Sequence, residues 1–478
     1  MWFRSDLRLS DNPALSAAIA RGEPVVPFFV LDDADAGAWA QGGASRWWLH
    51  GSLERLSKDL ESRGSRLILR RGPAEAVLEA LVAETKASAV FWNRRYEPWA
   101  TKRDARIKED LSLRGLSAQS FNAALLCEPW DISTRHGTPY RVFTPFRRAL
   151  YSSELNPVDT APPRYIPAPQ TFPKSDDLAS WRLRPKRPDW AGGLRKIWQP
   201  GEAGAVERLT LFLEGPLQAY HEKRDVPGVE GTSRLSAHLH FGEISPHRIV
   251  DAVRARTFSL TGNPTAHWSE VFLSEIAWRE FSYHLLFHFP HLPVDPLRPE
   301  FARFPWADDQ KALQSWQQGM TGYPIVDAGM RELWTTGWMH NRVRMIVASF
   351  LVKDLLLPWR LGEEWFWDTL VDADLANNAA SWQWVAGCGA DAAPYFRVFN
   401  PRLQSEKFDA HALYIKRWVP ELAKLPNELI HAPWRAQPLE LSNAGIVLGR
   451  NYPLPIIDHG YARSRALAAF KRINGTPG

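Results

Sequence analysis

The stretch PVVPFFVLDD (24–33) reads as a strand, an apolar run that ends in two acidic residues. Alternation sets in after it. WWLHGSLERLSKDLESRG (47–64) has helical periodicity and runs out at Gly64, a natural helix terminator. SRLILRRG (65–72) is again a short strand, PAEAVLEALVAET (73–85) a helix opening on Pro73, and ASAVFWN (87–93) a third strand. TKRDARIKEDLSLRG (101–115) is a charged helix closed by Gly115. Strands and helices alternating at this spacing predict a doubly wound parallel sheet, an α/β domain over residues 1–130.

Beyond it the character changes. NPVDTAPPRYIPAPQTFP (156–173) is dense in proline and WRLRPKRPDW (181–190) is basic. Such a stretch has little intrinsic structure, so residues 131–200 are expected to be a long interdomain linker. From 201 to 478 the apolar spacing is that of helices almost throughout. Examples are VERLTLFLEGPLQAYHEKRD (206–225), HWSEVFLSEIAWREFSYHLLFHF (267–289), NRVRMIVASFLVKDLLL (341–357) and EEWFWDTLVDADLANNAASWQWV (363–385). The expected fold is therefore an N-terminal α/β doubly wound sheet plus an all-α C-terminal domain.

Bulk properties narrow the class. At 478 residues, with 45% hydrophobic and 23% charged residues, the chain suits a globular enzyme. No apolar run reaches the roughly 18 residues that span a bilayer, and MWFRSDLRLSDNP carries charge where a secretion signal needs an apolar core. Cys127 and Cys388 make no disulfide framework, so a reducing cytoplasm is the expected home and a monomer the expected state. The net charge of +5 is a weak pointer to a polyanionic partner; ordinary solubility explains it equally. Metal and hydrolytic readings have no support, since HExxH, Cys-x-x-Cys, a Walker A loop, G-x-S-x-G and G-x-G-x-x-G are all missing.

Chemistry concentrates in DADLANNAASWQWVAGCGADAAPYFRVFNP (372–401). Asp372 and Asp374 are costly to bury without partners, and Trp382 and Trp384 are large, flat and easily oxidised. The mixture suggests a site for an aromatic, hydrogen-bonding ligand around which electrons move. The 23 tryptophans of the chain strengthen that idea, although any one tryptophan is ordinarily core. GTSRLSAHLHFGEIS (231–245) opens a helical segment with Gly, Thr, Ser and Arg, which suits a phosphate; simple capping by Thr232 or Ser233 is the alternative. Glu275 and Arg279 lie four apart around Trp278, either as a surface pair or, given their apolar neighbours, in a cavity wall. In TGWMHNRVRMIVASFLVKD (336–354), Arg342 and Arg344 point to different faces, and Arg344 is the better partner for a buried acid such as Asp372. A solvated basic face is the plain alternative.

Taken together, WFRSDLRLSDNPAL (2–15), YEP (96–98), GTPYRVFTPF (137–146), EGTSRLSAHLHFGEIS (230–245), EIAWREF (275–281), TGYPIVDAGMREL (321–333), TGWMHNRVRM (336–345) and the 372–401 segment resemble the cryptochrome/photolyase flavoproteins over nearly the whole chain. The resemblance implies FAD in the helical domain. Tyr220, Thr232, Ser233, Arg234, Leu235 and Ser236 would hold its pyrophosphate side. Arg279, Trp338, Asn341, Arg344, Phe366, Asp372, Asp374 and Asn378 would surround the rest, with Asn378 facing flavin N5. It also implies a function, light-driven repair of UV-damaged DNA by splitting cyclobutane pyrimidine dimers. Three features favour repair over light sensing: an amide at Asn378, His340 followed by Asn341, and an end at Gly478 soon after the last helix.

The roles implied for DNA are these. Arg224 and Arg342 would meet phosphates. Trp278 and Trp384 would flank the flipped-out dimer, Met345 would line its cavity, and Asn341 and Glu275 would hydrogen-bond it. Trp382, Trp359 and Trp306 would pass electrons to resting flavin. Glu97 matches a position that contacts an antenna, expected to be methenyltetrahydrofolate, with 8-hydroxy-deazaflavin the alternative; HLPVDPLRPEF (291–301) lacks the Cys-Lys pair of some folate-binding relatives. Trp47 or Trp48 would stack on a pterin or, more simply, fill the core. The first strand is expected to be short, because the chain starts at Met1–Trp2. A non-enzymatic blue-light receptor and a flavin oxidoreductase are the rival readings.

Overall fold

The computed structural model describes residues 1–153, 161–391 and 396–474. Part of the proline-rich stretch (154–160), residues 392–395 of the tryptophan segment and the end at Gly478 lie outside the described residues. The chain packs into two units: Met1–Gln218 with Ser233–Pro290 and Val371–Ala376, and Ala219–Thr232 with His291–Leu370 and Asn377–Gly478.

In the first unit, five strands form a parallel sheet: β1 (Trp2–Phe3), β2 (Phe28–Leu31), β3 (Ile68–Arg71), β4 (Ala89–Asn93) and β5 (Ser117–Phe121), in the order β3-β2-β1-β4-β5. Trp2 stands in register with Phe28 on one side and Trp92 on the other, and Phe28 with Ile68. The crossovers are helices α1 (Pro13–Ala20), α2 (Gly43–Glu61), α3 (Ala74–Thr85) and α4 (Pro98–Leu113). Buried Trp2, Phe28, Val30, Ile68, Val90 and Trp92 meet Leu78 and Leu81 of α3 and Ile107 and Leu111 of α4 in one core. The three strands expected from sequence are present, and the first is indeed short, at two residues. β5 was not anticipated. Its residues, SAQSF, are half-buried or exposed, so this edge strand lacks the apolar run that marks a central parallel strand.

Helices α5 (Phe143–Ser152), α6 (Glu202–Glu214), α7 (Ser236–His240), α8 (Pro246–Thr261) and α9 (His267–His288) also belong to this unit. Two buried ionic groups tie them to the sheet. The Arg8 guanidinium donates to the carbonyls of Ser10, Asp11, Ala123 and Gly242 at 2.6–3.0 Å. Glu243 accepts from Trp48 Nε1 at 3.1 Å, Ser52 Oγ at 2.5 Å and the Gly201 N–H at 2.7 Å, and its other oxygen lies 2.5 Å from His238 Nδ1. Trp48 is thus core, fully buried beside Phe241 and Trp198. Between these two anchors the chain must pass Ser5 closely: Gly242 has φ +63°, and a Cβ there would lie 2.0 Å from the Ser5 carbonyl oxygen, so only glycine fits.

The second unit contains α10 (Pro324–Thr336), α11 (Asn341–Ser349), α12 (Trp359–Thr369) and α14 (His459–Asn474), and most of α13 (Leu375–Ala386). The helical periodicity of 341–357 continues past α11 as a π-turn, Phe350–Asp354. The run 363–385 is interrupted between α12 and α13, and this break carries Asp372 and Asp374.

On α9, Glu280 accepts the Leu126 N–H at 2.8 Å and pairs with Arg279 at 3.2 Å. Burial pushes its carboxyl up to about 7, and Arg279 and the N–H groups of Leu126 and Cys127 offset this only in part. A folded-state value raised above the ordinary 4.5 means that Glu280 contributes stability below pH 4.5 and loses it as pH rises toward 7. Wild type should therefore lose about 3 kcal/mol relative to Glu280→Gln across that window. Thermal denaturation of both proteins over a pH series checks this; parallel curves would refute it.

Candidate active site

Each unit carries one group of the residues singled out in the sequence. In the first, α9 presents Glu275, Trp278, Arg279 and Tyr283, and the segment before α13 brings Asp374 to them. The Tyr283 hydroxyl donates to Asp374 Oδ2, and His240 Nδ1 lies 3.7 Å from the same oxygen. Burial alone would raise the Asp374 carboxyl; His240, Arg279 and the Tyr283 hydrogen bond outweigh it and hold the group well below the usual carboxylate range. Asp374 is therefore a buried, ionised acceptor. Arg279 is buried too, with Nη1 2.8 Å from the Ala124 carbonyl oxygen and its guanidinium 4.8 Å from the Tyr283 ring centre. Tyr283 and His240 were not picked out in the sequence. They lie 91 and 134 residues from Asp374, and nothing local to either marks the contact.

Glu275 and Trp278 are half-buried on the same helix. The Trp278 indole is stacked on Phe143, with ring centres 3.6 Å apart and planes 7° from parallel, so one face of the ring is fixed by protein. Ahead of α7, Arg234 has φ +53° and Ser233 Oγ accepts the Leu235 N–H at 3.4 Å. The α7 N-cap is Leu235, with no side-chain cap. Ser233 thus bonds within the loop and does not cap α7.

Glu97 is paired with Arg95, which outweighs the effect of burial and lowers the Glu97 carboxyl. Arg95 in turn lines a small cavity with Trp2, Arg4, Asp32, Trp99 and Arg103. These residues lie on or just past β1, β2 and β4, and on α4. The cavity thus sits at the carboxyl ends of the strands, where the sheet order turns between β1 and β4, the usual ligand position in such folds.

In the second unit, Asn378 and Trp382 stand one turn apart on α13, and consecutive residues of α12 fix both. A Cβ on Gly362 would meet Trp382 Cη2 at 2.0 Å, so the indole fills the space a side chain would take. Next along, the Glu363 carbonyl oxygen accepts from Asn378 Nδ2 at 3.0 Å. That bond orients the amide and leaves Oδ1 as the acceptor it presents. Trp382 packs edge-on to Phe366 at 5.0 Å and Trp316 at 6.3 Å. Trp316 was not distinguished from the other tryptophans in the sequence. Trp359, three residues before Gly362, is 4% exposed, Trp382 2%, and Trp306 half-buried. The Ala307 N–H donates to the Leu356 carbonyl at 2.8 Å, anchoring the Trp306 loop just ahead of α12. The three tryptophans thus occupy linked segments that grade from core toward solvent.

Arg342 and Arg344 diverge, as expected. The former pairs with Asp225 at 2.8 Å and lies over the Phe408 ring, whereas the latter donates to the Met339 carbonyl at 2.8 Å and faces Trp338. Arg224 also approaches Asp225, at 4.0 Å, and covers the Tyr220 ring. Asn341 is exposed and Met345 half-buried. Trp384 Nε1 donates to the Asp391 carbonyl at 3.1 Å.

Each unit by itself offers polar groups of the kind FAD requires. Asp374 offers an ionised acceptor for ring or ribose hydrogens and Asn378 an oriented amide. Among the described residues, both carboxyl oxygens of fully buried Glu363 lack a hydrogen-bond partner, which is costly.

Comparison with known proteins agrees. Residues 1–167 match the family model described as DNA photolyase, and residues 272–472 that of the FAD binding domain of DNA photolyase. The chain is 52% identical to a deoxyribodipyrimidine photo-lyase of Agrobacterium fabrum, covering 100% of this chain and 98% of that one. It is 40% identical to cryptochrome-1 of Arabidopsis thaliana, covering 99% of this chain and 70% of the relative. The crystal structure of a bacterial class III photolyase from Agrobacterium tumefaciens superposes with a TM-score of 0.95 at 52% identity, over 99% of this chain and 97% of that one. Two matched domains, a shared architecture and full-length identity above half place the chain in the FAD-binding photolyase/cryptochrome family.

Proposed function

We propose that this protein is a deoxyribodipyrimidine photo-lyase that uses light to split cyclobutane pyrimidine dimers in UV-damaged DNA. The observation that carries the reading is Asn378, an amide pinned to the Glu363 carbonyl at the position where, by family resemblance, light sensors carry an ionisable or thiol side chain. The 52% identity to a relative of that name supports it.

When bound, FAD supplies the light-absorbing electron donor of the reaction. Around it, Tyr220, Thr232, Ser233, Arg234, Leu235 and Ser236 hold the pyrophosphate side. Arg279, Trp338, Asn341, Arg344, Phe366, Asp372 and Asp374 hold the remainder. Asp374, kept ionised by its neighbours, accepts hydrogen bonds without needing a proton first. Arg224 and Arg342 contact DNA phosphates, an interaction that weakens with salt. A dimer leaves the duplex at reduced cost because its stacking and pairing are already impaired. Trp278, backed by Phe143, offers it a rigid apolar face, and Trp384 and Met345 complete the lining. Asn341 through its amide N–H and Glu275 through the O–H of its neutral acid form donate to the pyrimidine carbonyls, where negative charge develops. Trp306, Trp359 and Trp382 conduct electrons inward to restore the reduced cofactor.

A second chromophore is part of the proposal. By family resemblance Glu97, held by Arg95, contacts an antenna, methenyltetrahydrofolate in the first reading and 8-hydroxy-deazaflavin in the alternative. The absorption spectrum of the purified protein distinguishes them. Among the described residues no helix is long and apolar enough to cross a membrane, and a cytoplasmic monomer is the working assembly.

The kinship with cryptochrome-1 gives the receptor reading its weight, and one assay decides between them. Photoreduced protein should remove thymine dimers from an irradiated oligonucleotide under blue light and not in the dark; dimers that persist would sink the repair reading. Glu275→Ala should lower the repair yield per photon, through loss of one charge-stabilising contact, and change DNA affinity less; an unchanged yield removes Glu275 from the reaction. Trp382→Phe should abolish photoreduction of oxidised cofactor yet repair normally once chemically reduced. Normal photoreduction in that variant would exclude Trp382 from the relay.

A further inference from the structure

Glu363 has no structural duty that explains a carboxylate. It is fully buried on α12, and among the described residues neither oxygen has a hydrogen-bond partner. Its backbone carbonyl holds Asn378, and its neighbour Gly362 seats Trp382. A buried, unpaired carboxyl costs several kcal/mol if ionised and markedly less as the neutral acid. Burial accordingly drives its proton affinity well above the ordinary range; Arg360 opposes this weakly and Glu364 adds to it.

Two more buried ionisable groups belong to the same region. Cys388 is fully buried, raised to about 12 chiefly by burial, and lies within electrostatic reach of both Lys353 and Glu363. Lys353, 1% exposed, donates to the Ala386 carbonyl at 2.7 Å and lies 3.0 Å from the Phe396 ring centre. Burial lowers its proton affinity far below that of a surface lysine. This interior thus contains an acid and an amine that burial pushes, each in its own direction, toward the neutral form.

We propose that Glu363 is the internal proton donor of the flavin site. The inference rests on the flavin reading of Asn378 and Trp382 given above. When an electron reaches oxidised flavin from Trp382, the ring gains basicity and requires a proton. The Glu363 O–H bond breaks, a flavin N–H bond forms, and Glu363 is left as a carboxylate; Trp382 is the group oxidised. The carboxylate then takes a proton from solvent, so the buried site returns to neutrality.

The test is made on purified, FAD-loaded protein. Infrared difference spectra of photoreduction should show loss of a protonated carboxyl carbonyl band that shifts in deuterium oxide, and the band should be missing from Glu363→Gln. Flavin protonation, followed by its visible spectrum, should slow about 100-fold in that variant, the scale of a lost general acid, with partial recovery in Glu363→Asp. In wild type, proton uptake from solvent, read with a pH-indicator dye, should lag behind flavin protonation. An unaltered carboxyl band and equal protonation rates in Glu363→Gln would overturn the proposal. So would simultaneous dye and flavin signals in wild type, a result that needs no variant to fold. Protein that purifies without any flavin would instead refute the underlying cofactor reading.

Discussion

Charge cannot be taken out of water without partners, and the first unit is assembled around that constraint. Glu243 has no exposure, yet its oxygens are met by an indole, a hydroxyl, a backbone N–H and an imidazole from four places in the sequence. Arg8 does the same with opposite sign, gathering four carbonyls. Between them they locate the loop at Gly242, and thereby the chain from α7 into α9. Asp374 obeys the same rule: its charge survives burial because Tyr283, His240 and Arg279 converge on it. Structural anchoring and site construction are here one kind of interaction, used at different places.

The second unit solves a different problem, that of holding two side chains at fixed orientation one helical turn apart. Gly362 lacks a side chain where the Trp382 indole must lie, and the adjacent carbonyl takes the Asn378 amide. One turn of α12 therefore sets both the aromatic group and the polar group. Glu363 stands out against this background because its carboxyl breaks the pairing rule kept by Glu243 and Asp374.

Much of the α/β sheet was legible because its central strands are short runs of Phe, Val, Ile, Leu and Trp bounded by turn residues. β5 was not, because an edge strand with polar residues leaves no periodic apolar signal. The C-terminal helices were visible from their periodicity, but the break before α13 was not: Leu370 and Val371 are buried and continue the apolar spacing while the backbone departs from it. Candidate residues carried by local motifs could be proposed from sequence. Those defined only by packing could not, among them Tyr283, His240 and Asp225, which meet their partners across long loops. Trp316 was hidden for a simpler reason, since one tryptophan among 23 has no individual signature.

Asp225 has a consequence for how the protein would move over DNA. Arg342 pairs with it and Arg224 approaches it, so three formal charges leave a net of one. The carboxylate offsets part of the positive charge of these two guanidinium groups and holds that of Arg342 in place. Non-specific retention on intact duplex scales with the number of phosphates neutralised. Were Arg224 and Arg342 to meet DNA phosphates as proposed, that offset would weaken their hold on undamaged duplex and leave recognition to groups that act only at contact distance. An enzyme whose targets are rare among a vast excess of intact base pairs gains from that arrangement, because it spends little time bound where there is nothing to repair.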